Sequence, residues 1–415
     1  MPSIQDYLDW RGDVPATKDN INEVDNMIFC LLSYVNFEKV FETLPAGQSV
    51  TLREAAKEYF FTYDQSKAHP LGLIVPTDII TLFRRLAETP RYQSLVLGGY
   101  VNEVCTEREM QFSAITIHLP DGCIFVAFRG TDDTLVGWKE DLKLSYLDEV
   151  PSQTKAAAYL NAIPLQDDTL IYVGGHSKGG NLAVWGATHA RPDVQAHIAH
   201  IYSNDGPGFS DTMLQSQAYL ALADRITYLI PQSSLVGLLL SNDGKYQIVK
   251  SRSLGVFQHN GLSWEVMGSR FVRQEKLTSR GVHTDTVVRD RIQGMNKDER
   301  RAFVEMFFEV LTATGATTLT ELANGYPRNA IAMVKAFQSF EKEKKEMAVY
   351  LVSKLFDIRP PLKKDTPETP PVVVTPPPPV LEVSPKTPPK PPKKKKRSAP
   401  IHVEWRIPQY IKSKK

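Results

Sequence analysis

Cysteine is scarce: Cys30, Cys105 and Cys123 are the three in 415 residues. An odd trio is no disulfide framework, and without a Cys-x-x-Cys pair or a Cys/His cluster no metal or other cofactor is expected. Cys123 sits in an apolar run, where a small buried hydrophobe is the expectation. Long hydrophobic runs are missing too. No window holds 18 uninterrupted apolar residues, which predicts no transmembrane helix. The opening Met1-Pro2-Ser3-Ile4-Gln5 lacks a basic start leading into an apolar core, so no secretory signal is read there. These absences predict a reducing, cytoplasmic setting. A strong charge of one sign is lacking as well, the net being +2.

That small net charge hides a division. Residues 359–415 carry 14 Lys/Arg against 4 Asp/Glu and hold 16 of the 29 prolines, so the remainder is mildly acidic. The segment has too few core-forming residues to offset its ordering entropy. Pro376–Pro379 and the Lys-Pro alternation over 386–392 favour extended polyproline II. The expected organisation is one domain over 1–357 and a disordered basic tail over 358–415. Such a tail suits an SH3-like groove or an anionic surface, with nucleic acid the weaker choice.

In residues 21–35, Val24, Ile28, Leu31, Leu32 and Val35 fall at helical spacing, and 75–87 repeats the pattern behind Pro76. Ala114–Leu119 alternates, Pro120-Asp121-Gly122 turns, and Cys123–Phe128 is continuously apolar: a hairpin whose second strand is central. Strands follow at Leu170–Val173, Ile198–Ser203, Ile226–Ile230 and Tyr246–Lys250. Helical patterns lie between them at Thr154–Ala162, Gly179–His189 and Ser210–Ala223. Alternating strands and helices predict an α/β fold with a mostly parallel sheet. Terminal helices are expected over 297–313 and 328–356.

The most informative stretch is Leu170-Ile171-Tyr172-Val173-Gly174-Gly175-His176-Ser177-Lys178-Gly179-Gly180-Asn181. Average composition yields Gly-x-Ser-x-Gly by chance in roughly one chain in ten of this length. A strand before it and a helix after it supply the context that gives the pattern meaning. Together they form a nucleophile elbow, a turn that holds a serine oxygen up to a carbonyl while glycines remove colliding side chains.

A serine nucleophile needs a base and an acid to orient it, in the order Ser, acid, His on this scaffold. His259, after the last predicted strand, is favoured as base over His283. Asp205 follows the Ile198–Ser203 strand and so shares the carboxyl edge of the sheet with Ser177. Its Asp-Gly-Pro-Gly setting is equally good turn chemistry. Asp224 opens the next strand and points to the opposite edge, and Asp243 lies in a hairpin-like Ser-Asn-Asp-Gly. An oxyanion hole takes one backbone N–H from Lys178 and a second from Thr131, in Phe128-Arg129-Gly130-Thr131.

Val126-Ala127-Phe128-Arg129-Gly130-Thr131, followed by Gly137-Trp138-Lys139-Glu140-Asp141-Leu142, resembles a block of class 3 lipases. The fuller resemblance is to the Mbeg1-like family of bacterial α/β-hydrolase domains. It is carried by Tyr7-Leu8-Asp9-Trp10-Arg11-Gly12-Asp13, Asn22-Glu23-Val24-Asp25-Asn26, the elbow, Asp205-Gly206-Pro207-Gly208-Phe209 and Gln258-His259, and it spans roughly residues 1–357. The resemblance implies an α/β-hydrolase fold and a lipase-like serine hydrolase with Ser177, Asp205 and His259 as triad. The sequence departs at the segment where class 3 lipases carry their acid, which reads Ser233-Ser234-Leu235-Val236 here. That departure moves the acid to Asp205 or leaves the triad incomplete.

The expected substrate is a carboxylic ester, of a lipid or another acyl group. Leu235–Leu240 would line an acyl pocket or join the core, and with Ser210–Ala223 could form a lid. The alternative is a catalytically weak scaffold that acts as a binding protein, with the tail as its working end.

Overall fold

The computed structural model describes residues 2–45, 47–63, 76–234, 236–237, 240, 245–278 and 294–356. The 358–415 tail, His283, Asp243 and, in the 235–240 run, Leu235, Leu238 and Leu239 lie outside these residues.

The chain opens with helices α1 (Ile4–Arg11), α2 (Glu23–Leu32) and α3 (Glu38–Glu42), the two-residue strand β1 (Val50–Thr51), and helices α4 (Leu52–Thr62) and α5 (Asp78–Glu88). Helix α2 starts where the sequence permits a reciprocal cap. The Asn22 side chain accepts from the Val24 N–H at 2.9 Å, and the Asp25 carboxylate accepts from the Asn22 N–H at 2.9 Å. In α5 the buried residues are Ile79, Leu82, Phe83, Leu86 and Ala87, one stripe at helical period.

Next come β2 (Val96–Cys105), β3 (Met110–His118), β4 (Ile124–Phe128), α6 (Leu135–Lys143), α7 (Pro151–Asn161), β5 (Ile171–His176) and α8 (Lys178–His189). They are followed by β6 (Ile198–Asn204), β7 (Ile226–Pro231) and β8 (Gln247–Val249), then the short β9 (Val266–Met267), β10 (Arg270–Phe271) and β11 (Arg273–Gln274). Among the described residues nine strands form one sheet in the order β1-β2-β3-β4-β5-β6-β7-β8-β11, and β9 pairs with β10 in a separate two-stranded sheet.

The sheet is less parallel than its sequence implied. Strands β4 through β8 are parallel to one another, while β1, β2, β3 and β11 add four antiparallel pairings at the two edges. The cause is connection length. The turns after β2 and β3 are too short for a crossover, so those strands must fold back. Strand β2 escaped a reading by pattern because Gly98-Gly99 and Asn102-Glu103 interrupt its apolar alternation.

Helices cover both faces, and β4 shows why its residues are continuously apolar. Phe125 and Ala127 join the core under α1–α5, whereas Ile124, Val126 and Phe128 join the core under α7 and α8. Cys123 lies in the turn before β4 and is half-buried rather than buried; all three cysteines are free thiols.

Two helices expected as single pieces are broken. Ser210 and Ser216 each cap a separate short helix, Asp211–Leu214 and Gln217–Leu220. The Ser210 hydroxyl accepts from the Met213 N–H at 3.3 Å, and the Ser216 hydroxyl accepts from the Tyr219 N–H at 3.2 Å. Met213 and Tyr219 are buried in the core beneath α8, so this part of the expected lid packs into the body of the protein. The 328–356 stretch divides into Arg328–Ser339 and Lys342–Phe356, because Phe340 takes an extended backbone and packs beside Met306 and Leu351. Among the described residues no helix is long and apolar enough to cross a membrane.

Candidate active site

Strand β5 runs straight into the elbow. Ser177, between β5 and α8, has φ 59° and ψ −133°. Such a conformation costs a non-glycine residue about 1–3 kcal/mol. Surrounding bonds hold it there: the Ser177 N–H donates to the Asn204 carbonyl at 3.0 Å, and its carbonyl accepts from Gly180 N–H at 2.8 Å. The glycines are needed for space. A Cβ on Gly175 would strike the Gly179 carbonyl, and one on Gly179 would strike the Phe128 carbonyl.

The next strand end delivers Asp205, also at positive φ (50°) and fully buried. Its N–H donates to the Leu229 carbonyl at 2.7 Å, which ties the residue to the neighbouring strand β7. His259 Nδ1 lies 2.7 Å from Asp205 Oδ2. His259 ends the short 3-10 turn Gly255–His259 that follows β8, and three short strands come after it, so it follows the last parallel strand rather than the last strand. The other Asp205 oxygen accepts from the Ser234 hydroxyl and, at 3.1 Å, from the Gly237 N–H. Both oxygens are satisfied, and the carboxylate leaves Nδ1 carrying a proton. His259 Nε2 is then the basic nitrogen. Among the described residues no hydrogen bond joins the Ser177 hydroxyl to His259; such bonds are often long before substrate binds.

Ser234 was not foreseen, although it stands in the segment where an acid was sought and found missing. It touches the acid instead of replacing it. Asp224 sits exposed in a turn before β7, 3.9 Å from Lys245, remote from the carboxyl edge.

Thr131 and Lys178 flank Ser177 from two directions. Lys178 is the first residue of α8, whose N–H has no intrahelical acceptor. Among the described residues neither its amide nor that of Thr131 has a hydrogen-bond partner. The Thr131 hydroxyl is committed to Asp141. Gly130 brings this loop close, since a Cβ there would lie 3.0 Å from Ser177 Cβ and collide with the Tyr34 hydroxyl.

The Lys178 side chain was also unforeseen. It is 1% exposed, and its ammonium donates to Gln111 Oε1 at 2.8 Å, the Gln111 carbonyl at 2.9 Å and Glu140 at 3.1 Å. Burial pushes the neighbouring Asp141 carboxyl up to about 6, against the pull of the Lys178 charge. The available signal was a lysine inside a glycine-rich elbow that follows an apolar strand.

His176 completes the cluster. Its Nε2 lies 2.7 Å from the His259 carbonyl, its Nδ1 lies 3.1 Å from the Tyr34 hydroxyl, and its ring packs on the His259 ring at 4.5 Å. Burial, then the neighbouring His259, pushes its pKa down to about 3. The unfolded chain therefore binds a proton there that the fold does not. That stability is complete above about pH 6.5 and is lost as pH falls toward 3, amounting to about 2 kcal/mol by pH 5. Thermal unfolding followed from pH 7 to 5 is expected to show a steeper loss for wild type than for His176→Gln.

The fold and site define a class: an α/β protein with a strained serine at a strand–helix turn, beside a buried carboxylate–imidazole pair. A family model described as Mbeg1-like matches residues 86–309, and the chain belongs to that family. Among solved structures it is similar to one titled "Crystal structure of M37 lipase". The two share 16% identity with a TM-score of 0.31, over 51% of this chain and 67% of that one. No curated protein matches it. Among the described residues no group of three or more His, Cys, Asp or Glu side chains is placed to hold a metal ion.

Proposed function

We propose that this protein is a serine hydrolase on an α/β-hydrolase fold, cleaving a carboxylic ester through an acyl-enzyme. The observation that carries the reading is the 2.7 Å contact from His259 Nδ1 to a fully buried Asp205, beside a serine held at φ 59°. His259 takes the Ser177 proton as the hydroxyl oxygen attacks the ester carbonyl. The Thr131 and Lys178 amides receive the oxyanion, and the same histidine returns its proton to the departing alcohol. Water then repeats the sequence on the acyl-enzyme. Leu254 and Phe257, both exposed on the turn that carries His259, favour an ester with an apolar acyl part.

A fluorophosphonate probe tests this directly. Folded wild type is expected to take up one equivalent, and peptide mapping is expected to find the adduct on Ser177. A folded protein that stays unlabelled would reject the reading in favour of a binding protein built on the same scaffold.

A further inference from the structure

Resting on that reading, we infer that His176 is a positioning residue that ties the base to the nucleophile. It does so by donating its Nε2 proton to the main chain of His259. The chain of hydrogen bonds has a direction. The His259 carbonyl can only accept, so the nitrogen facing it must carry the hydrogen. That nitrogen is His176 Nε2, 2.7 Å away. Nδ1 then holds a lone pair, and the Tyr34 hydroxyl donates to it at 3.1 Å. Tyr34 is itself buried and fixed just beyond α2, so the tautomer of His176 is set from the opposite side of the site.

Sequence position gives this contact its effect. His176 is bonded covalently to Ser177, so its backbone shares the elbow while its side chain holds the loop of the base. Nucleophile and base are thereby linked through one side chain. The alternative path runs through β6, Asp205 and the His259 ring. The ring of His176 also lies against that of His259, 34° from parallel at 4.5 Å, and limits its tilt. The neighbouring contacts complete the restraint: Gln258 Oε1 accepts from Ser233 N–H at 2.9 Å, and the Gln258 carbonyl accepts from the Trp264 indole at 2.9 Å. Each of these fixes the residue before the base. Among the described residues, only the His176 side chain reaches the backbone of His259 itself.

Misplacing a catalytic group by about 1 Å costs roughly 100-fold in rate. His176→Phe keeps a ring against His259 and removes both hydrogen bonds. It is expected to slow fluorophosphonate labelling of Ser177 roughly 100-fold per site, and kcat for a short soluble ester likewise, with KM little changed. Labelling still runs to one equivalent, because a lost fold would lower the amount labelled and not the rate constant. His176→Gln, whose amide can donate to the same carbonyl, is expected to recover most of the rate.

Wild-type rates in His176→Phe overturn the inference, and so does a Gln variant no faster than Phe. If His176→Phe does not fold, Tyr34→Phe carries the test: a labelling rate several-fold below wild type supports the inference, and an unchanged rate overturns it. Failure of wild type to label is a different outcome and rejects the hydrolase reading itself.

Discussion

Asp205→Asn is expected to lower kcat on a short soluble ester by about 10,000-fold while the protein stays folded. The amide oxygen of the variant can still accept from the Ser234 hydroxyl and the Gly237 N–H, as one carboxylate oxygen does now. Its NH2 group then faces His259 Nδ1 across the present 2.7 Å contact. Two donors cannot meet there, so Nδ1 gives up its proton and Nε2 takes one. A histidine in that tautomer has no lone pair for the Ser177 proton, and the imidazolium formed in the reaction loses its buried counter-charge. Steady-state kinetics beside thermal unfolding separate this from a loss of structure. Full activity in folded Asp205→Asn would remove Asp205 as the acid.

Asp25→Ala is expected to cost about 3–5 kcal/mol of unfolding free energy, read by denaturant titration. Asp25 and Arg91 are 0% and 1% exposed, and Arg91 meets the carboxylate at 2.5 Å and 3.0 Å. The Tyr92 hydroxyl donates to it at 2.5 Å as well. Removing the acid leaves the buried guanidinium with main-chain carbonyls, those of Asp19 and Asn20 among them. Among the described residues, the carboxylate still paired with it is that of Asp19, at 3.2 Å and a third exposed, which is a poorer counter-charge than a fully buried one. Asp25→Ala combined with Arg91→Met removes both charges and should recover part of the loss; a double variant no better than the single would contradict a charge-based cost. The cluster also matters to the site. One turn along α2 from the cap, Asn26 exchanges amide hydrogen bonds with Asn204, at 3.0 Å and 3.2 Å, directly before Asp205.

Much of the candidate site was legible because its parts lie at strand ends. A strand feeding a glycine-flanked turn and a helix predicts the elbow, and the next strand end predicts Asp205. What could not be read were contacts between segments far apart in the chain. Ser234 and Gly237 on Asp205, Glu140 and Gln111 on Lys178, and Tyr34 on His176 show no local spacing that announces them. Each polar group is there because a buried partner would otherwise be left unsatisfied. The β3–β4 hairpin was legible, but its neighbour β2 was missed for a related reason: β2 pairs through its backbone, and its side chains do not alternate.

By itself the sequence determined the alternation of strands and helices, the elbow at Ser177 and membership of the Mbeg1-like family. These follow from local pattern, since apolar period and glycine placement act over a few residues. Only the tertiary structure decided that the histidine meeting Asp205 is His259, that Ser234 supports the acid, and that His176 bridges elbow and base. Those depend on which strand ends and turns meet at one edge of the sheet, 54 residues apart in the case of Asp205 and His259. Packing of the whole sheet, with α2 and α8 on opposite faces, sets that meeting.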